Sequence, residues 1–261
     1  MATVLDIYSK LNSVFPFCEQ ESWDNSGILV DGDKAVDKIL VALDATKQVV
    51  SEAEKVGAQL IVTHHPVIFY PLKNLSEANP AVMALKKDIA IISAHTNFDV
   101  SDFGADAHLA ELLSNEMGFI CDGALDITQN NPSPHGFGRI GKLKKAVSTE
   151  EFAAGLKKIL GCDALRCVSS DKQIEKIAFC CGAGGEYLKK AIDLGCDAYM
   201  TSDVKHSHFT RAKDCNIALF VPTHYQMEKP AMQNIVSLLS ESFKEIEVFE
   251  SKKESDPSYI I

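Results

Sequence analysis

The sequence predicts an α/β protein built from two related α/β units, and three observations predict it. Short β-rich runs alternate with helical patterns along the chain, the order that builds parallel sheets covered by helices. A stretch beginning at Lys38 reappears 138 residues later with strand, turn, helix, glycine and strand in the same order. Histidines and carboxylates stand just after predicted strands, where open α/β sheets place their ligands. At 261 residues, 46% hydrophobic and 24% charged, the chain is long enough for one large or two smaller cores and too apolar to remain disordered.

Each element follows from its local pattern. The opening MATVLDIYSKLNSVFPF reads as an amphipathic helix with Leu5, Tyr8, Leu11 and Phe15 on one face and Thr3 and Asp6 at cap spacing. Apolar runs place strands at Ile39–Leu43, Leu60–Thr63, Ile89–Ser93, Ile177–Cys181, Ala198–Thr201, Ile217–Val221 and Ile246–Phe249. Helices fit at Lys47–Lys55, Pro80–Lys87, Ala105–Met117, Glu150–Leu160, Glu186–Leu194, Val204–Lys213 and Glu228–Phe243, with Gly57 and Gly195 where two of them stop. Gln129–Lys145, which holds Asn130, Asn131, Pro132, Ser133, Pro134 and three glycines, reads as a loop or linker. The expected division is a first domain of residues 1–125 plus 222–261 and a second of 126–221.

The repeat aligns Lys38–His65 with Lys176–Asp203 without a gap. Identical pairs are Lys38/Lys176, Ile39/Ile177, Ala45/Ala183, Ala53/Ala191, Gly57/Gly195 and Thr63/Thr201. A second correspondence joins His95-x-x-x-Asp99 to His224-x-x-x-Glu228, each after a strand. Shared βαβ geometry alone produces much of such a match, so convergence stands beside an old duplication as its source.

Charge and cysteine usage narrow the function. Lys and Arg number 26 against 36 Asp and Glu, a net charge of −10, which lacks the basic footprint of sequence-independent nucleic-acid binding. The eight cysteines include adjacent Cys180 and Cys181 and no CxxC pair, so reduced thiols in a cytoplasmic protein are expected. No charged segment leads into an apolar leader, and the apolar runs are too short to span a bilayer, so no membrane association is expected.

The candidate chemistry lies at the strand ends. Thr63-His64-His65-Pro66 puts two imidazoles directly after a strand, and Pro66 favours a turn that lets both meet one site. With His95, Asp99, His224 and Glu228 they form a donor set suited to a divalent metal. The competing reading is a scatter of helix caps and surface histidines. Thr201–His208 offers supporting groups, an acid–base histidine or a substrate lysine, or a plain helix cap. Gly182-Ala183-Gly184-Gly185 fits tight-turn packing better than a phosphate cradle, and Trp23-Asp24-Asn25-Ser26-Gly27 reads as a turn with an aromatic anchor.

Trp23–Gly27, Thr63–Pro66 with Phe69, His95–Asp99, Thr201–His206 and His224-Tyr225-x-x-Glu228 occur in an order that resembles the GTP cyclohydrolase 1 type 2 homologues, the NIF-three-like dinuclear-metal family, in its short form. The resemblance implies two α/β domains with a metal site between them. It implies ligands at His64, His65, Asp99, His224 and Glu228, two divalent ions per subunit (Zn, Fe, Mn, Co or Ni), and a homo-oligomer, a hexamer in many members. His95 is then a pocket residue. The activity implied is metal-dependent hydrolysis, with activated water attacking a nucleotide or heterocycle ring. His95 and His206 stand as proton shuttles, and Lys73, Arg139 and Lys205 as substrate-phosphate contacts. Ser202, where glycine is common, and Glu186, where a small hydroxyl residue is common, bear on substrate fit. The alternative is a non-catalytic metal-binding scaffold or metal chaperone.

Overall fold

A computed structural model describes residues 2–30, 32, 34–127 and 136–259, and the chain divides into two compact units. The first comprises residues 1–103 and 231–255, the second 104–230 and 256–261.

The first unit begins with α1 (Val4–Val14), whose Thr3 and Asp6 form a capping box. Its buried face is Val4, Ile7 and Leu11, continued by Phe15; Leu5, expected inside, is half exposed because it falls outside that stripe. There follow β1 (Gly27–Val30), β2 (Lys38–Ala42), α2 (Lys47–Val56), β3 (Leu60–Thr63), α3 (Pro80–Lys86), β4 (Ala90–Ser93) and the short α4 (Thr96–Asp99). Asn79 caps α3, and Pro80 opens it where no backbone N–H is needed. The second unit holds α5 (Ala105–Met117), β5 (Phe119–Ile127), β6 (Gly136–Val147), α6 (Thr149–Leu160), β7 (Arg166–Val168), β8 (Ile174–Phe179), α7 (Leu188–Asp193), β9 (Ala198–Met200), α8 (His206–Asp214), β10 (Ala218–Val221) and α9 (His224–Glu228). The chain then returns to the first unit with α10 (Met232–Ser242) and β11 (Glu247–Glu250).

The first sheet has the order β1-β4-β3-β2-β11, parallel except for β1; the second runs β5-β6-β8-β9-β10-β7, with β8, β9 and β10 parallel. The shared centre carries the repeat in detail. Ile39 pairs with Leu60 in one sheet and Ile177 with Ala198 in the other, the same register 138 residues on. Ala58 N–H bonds Ala53 O, and Cys196 N–H bonds Ala191 O. Gly57 and Gly195 both take positive φ, 72° and 69°, where the chain turns from helix to strand. Gln59 accepts from the N–H groups of Asp37 and Lys38, and Asp197 from those of Glu175 and Lys176. The side-chain clips match as well as the register, so the two halves repeat one local design.

Three expectations need correction. Gly136–Lys145 is not a loop: β6 pairs with both β5 and β8, and its glycines permit close packing, since a Cβ on Gly141 would meet Ile120 O at 2.1 Å. Residues 129–135 lie outside those described. The helix expected over Glu228–Phe243 is interrupted at Pro230, which cannot donate to a helix, so α9 and α10 are separated by a 3-10 turn over Lys229–Ala231. The unit boundaries fall after residues 103 and 230, rather than at 125 and 221, because α5 buries Leu109 and Leu113 with Phe119, Phe152 and Phe179 of the second core. The first core gathers Leu40, Val49, Val50, Ile61 and Ile91. All eight cysteines are free thiols, and among the described residues no helix is long and apolar enough to cross a membrane.

Candidate metal centre

In the first unit the strand ends assemble an imidazole cluster. Adjacent residues of a regular strand point to opposite faces, yet His64 and His65 have ring centroids 4.9 Å apart. The turn responsible is held by hydroxyls: Thr63 Oγ1 donates to His65 O at 2.9 Å and lies 2.8 Å from Ser93 Oγ, which also reaches His65 O. His95, at the cap of α4, brings a third ring to 5.1 Å from His64 and 5.7 Å from His65. One ring nitrogen from each of the three lies within 4.8 Å of the others. Asp99 closes the last turn of α4, with Oδ1 3.5 Å from His64 Nε2.

The Nδ1 atoms fix the ring chemistry. His64 Nδ1 donates to Ala94 O, His65 Nδ1 to Asp44 and His95 Nδ1 to Asp24, all at 2.8–2.9 Å. Their acceptors carry no proton, so Nδ1 bears the hydrogen and the neutral ring presents a lone pair at Nε2. Such outer carboxylates and carbonyls are what orient histidines that bind metals. The Asp24 side chain is shielded from solvent and also accepts from Thr96 N–H, Thr96 Oγ1 and Ser26 Oγ. Burial pushes its carboxyl up, but the bonds from His95 and Thr96 outweigh burial and hold it well below the usual carboxylate range.

The second unit carries a matching pair. His224 opens α9, whose Thr223 and Gln226 form a capping box, and Glu228 follows one turn later. His224 Nδ1 donates to Asp203 at 2.8 Å, while Nε2 faces Glu228 Oε2 at 2.9 Å. With the proton on Nδ1, a ring lone pair and a carboxylate oxygen would repel at that distance; a cation between them removes the conflict. Glu228 is 4% exposed, so water screens it little. The backbone makes room: Gly182, at φ 66°, would place a Cβ 2.2 Å from Glu228 Oε1. Its carbonyl accepts from Ser202 N–H and Thr201 Oγ1, and the preceding Cys181 N–H donates to buried Asp106. Burial, joined by the charges of Asp106 and Glu228, pushes the Cys181 thiol well up, so it is protonated beside the carboxylate.

The histidines and carboxylates singled out from sequence thus gather at strand ends within each unit. Other candidates do not. Arg139 is buried, its guanidinium donating to the carbonyls of Gly136 and Gly138, so it braces β6 and offers no surface for a phosphate. Lys73 is exposed on the loop before α3; Lys205 pairs with Glu186 at 2.9 Å, and His206 opens α8 toward solvent. Asp24 and Asp44 escaped the sequence reading. Asp44 carried a usable signal, since it stands two residues beyond β2. Asp24 sits in a turn whose spacing gives no hint of His95.

The fold and these clusters define an α/β protein of two internally similar units with histidine–carboxylate sets of the kind that hold divalent cations. The chain belongs to the Duf34/NIF3 (NGG1p interacting factor 3) family, whose model matches residues 2–257. It is 33% identical to GTP cyclohydrolase 1 type 2 of Helicobacter pylori strain J99, across 97% of this chain and 98% of that one. It is 31% identical to a GTP cyclohydrolase 1 type 2 homolog of Clostridium perfringens, across 97% of each. Among solved structures, a Staphylococcus aureus hypothetical protein matches with a TM-score of 0.87 and 28% identity over 99% of both chains. Reduced HcgD from Methanocaldococcus jannaschii matches at 0.79 and 26%, over 95% of this chain and 97% of that one.

Proposed function

We propose that His64, His65, Asp99, His224 and Glu228 would hold two divalent metal ions and that the protein hydrolyses a nucleotide or related heterocycle. The observation that carries the reading is the commitment of Nδ1 to an oxygen acceptor in His64, His65 and His224, with Nε2 of His64 facing Asp99 and Nε2 of His224 facing Glu228. Nitrogen and carboxylate donors of this kind suit Zn, Fe, Mn, Co or Ni. Bound at such a centre, divalent ions lower the pKa of water and stabilise developing negative charge.

The chain's own residues do the remaining work. Asp44 and Asp203 hold the imidazoles of His65 and His224 in one tautomer and one orientation. His95, backed by Asp24, is the group proposed to take and return a proton at Nε2 beside the His64 and His65 rings. His206 is proposed as a second proton carrier, and Lys73 and Lys205 as contacts for a phosphate group. The Helicobacter and Clostridium relatives, named as GTP cyclohydrolase 1 type 2 and its homolog, favour GTP as the first substrate to try. A cytoplasmic homohexamer is the assembly proposed.

Two experiments test this. Metal analysis of the wild type and the His64→Ala/His224→Ala protein should show near-stoichiometric metal in the first and little in the second; equal content in both refutes the centre. Metal-loaded wild type should turn over GTP, with loss in His65→Ala and Glu228→Ala. Metal bound without turnover across a broad hydrolase panel would replace the enzyme by a metal-binding scaffold or chaperone.

A further inference from the structure

Trp23 is the single tryptophan of the chain, and it is 58% exposed. Exposure of a large ring on a floppy loop needs no explanation. This loop is not floppy. Asp24 accepts from His95, Thr96 and Ser26; Asn25 Nδ2 donates to Ile68 O at 2.6 Å; and Ser26 N–H donates to Gln20 Oε1 at 2.7 Å. The Asn25 bond also ties the loop to the segment that carries Phe69. As a result Trp23, Phe69 and His95 stand as a triangle of rings, with centroids 6.1 Å (Trp23–Phe69), 6.3 Å (Trp23–His95) and 6.1 Å (Phe69–His95) apart. Tyr70 extends this rim and is 76% exposed. The hydrogen bonds therefore hold an apolar aromatic face open to water beside an imidazole cluster, forgoing the stabilisation that burying it would bring.

We infer that Trp23 offers a stacking face, with Phe69 tilted 50° beside it as an apolar wall, to a planar heteroaromatic ring, which places the edge of that ring toward His95 and the His64–His65 pair. A heteroaromatic ring fits because it needs an apolar surface for its face and polar groups for its edge, and this rim supplies both. A simple phosphate or sugar would gain nothing from the indole. The inference rests on the proposed nucleotide or heterocycle reading and names the residues that would select the ring.

The lone tryptophan makes the test direct. Its fluorescence, excited at a wavelength nucleotides do not absorb, is followed in the full-length metal-loaded protein titrated with GTP, guanosine or inorganic tripolyphosphate. GTP and guanosine should quench saturably, and tripolyphosphate should not. Trp23→Ala should weaken GTP binding about 5- to 150-fold, the usual effect of removing a base-stacking ring. Trp23→Phe should recover most of it, with metal content unchanged in both. Absence of quenching at saturating GTP, or wild-type affinity in Trp23→Ala, overturns the platform. So does a changed sedimentation coefficient of Trp23→Ala with unchanged GTP affinity, which would make the rim a contact between copies of the chain. Saturable quenching by guanosine without turnover of GTP leaves the platform standing and removes the hydrolase reading instead.

Discussion

Replacing Gly182 by alanine should separate the metal centre from the fold that carries it. The added Cβ would lie 2.2 Å from Glu228 Oε1 and 3.2 Å from His224 Nε2. Ordinary contact requires roughly 3.5 Å, so the carboxylate must retreat by about 1.3 Å. Metal–ligand distances tolerate only about 0.2 Å, so the displaced oxygen no longer serves as a ligand. Loss of even an outer partner lowers metal affinity by about 10- to 100-fold, and Gly182→Ala should do at least that. The backbone adds a second effect, because φ is 66° and a side chain there costs about 1–2 kcal/mol. For a chain of this size that is a drop of roughly 2–8 °C in melting temperature. Gly184→Ala is the control: its Cβ would crowd Cys180 and Thr201 at 2.6 and 2.8 Å, a comparable overlap that touches no proposed ligand. Titration calorimetry with Zn or Mn and melting curves of the chelated proteins read the two effects separately. The Gly184 variant should lose stability but keep its metal. Wild-type affinity in Gly182→Ala would refute the assignment of Glu228 as a ligand.

Other outcomes follow from the same geometry. Asp24 titrates below its unfolded value, so its contribution to stability is complete above about pH 4 and declines as pH falls further; Asp24→Asn should melt lower than wild type near neutrality, and the gap should narrow at about pH 3. Gly57→Ala and Gly195→Ala meet open space for their Cβ atoms but keep positive φ, so each should cost about 1–2 kcal/mol in chemical denaturation, with additive effects and no change in metal content. Iodoacetamide on the native protein should label the exposed Cys18, Cys121, Cys167 and Cys215, while buried Cys180 and Cys196 and the high-pKa Cys181 react only after denaturation; mass spectrometry of the labelled peptides checks this.

The central parallel strands were legible because each is a continuous apolar run, the signature of a strand buried on both faces. Strands β1, β5, β6 and β7 were not. They are edge or antiparallel strands, half exposed and rich in glycine and charge, as in Gly136-Phe137-Gly138-Arg139, and their composition matches that of loops. The strand-end rule located the imidazoles and carboxylates, since position along a strand is encoded locally. The partners of Nδ1 were hidden because they join residues far apart, such as Asp24 with His95. Arg139 misled for the same reason: a cation beside two glycines looks like an anion site until the chain folds its guanidinium back on their carbonyls.

The internal repeat also lets the two halves be compared position by position, and equivalent places offer different donors. Position 44 follows β2, and its counterpart 138 residues on is Gly182; His64 and His65 follow β3, and their counterparts are Ser202 and Asp203. In the first half the aspartate after β2 supports the histidine after β3, through Asp44 and His65. In the second half the residue after the equivalent of β3 is itself the aspartate, and it supports His224 from the next strand end. With no ring at position 202 or 203 to support, an acid at 182 would have no role and would crowd Glu228. Glycine there both removes that charge and admits the carboxylate against the backbone. The two sites thus exchange which strand end carries the donor and which carries its support, while the matched threonines also differ in use: Thr63 donates to His65 O in its own turn and Thr201 to Gly182 O at the neighbouring strand end. On this argument Gly182→Asp is a harsher change than Gly182→Ala, because it adds a like charge beside Glu228 as well as volume. It should abolish metal binding, whereas Asp44→Gly, which withdraws support from His65 but blocks nothing, should weaken binding by about 10- to 100-fold.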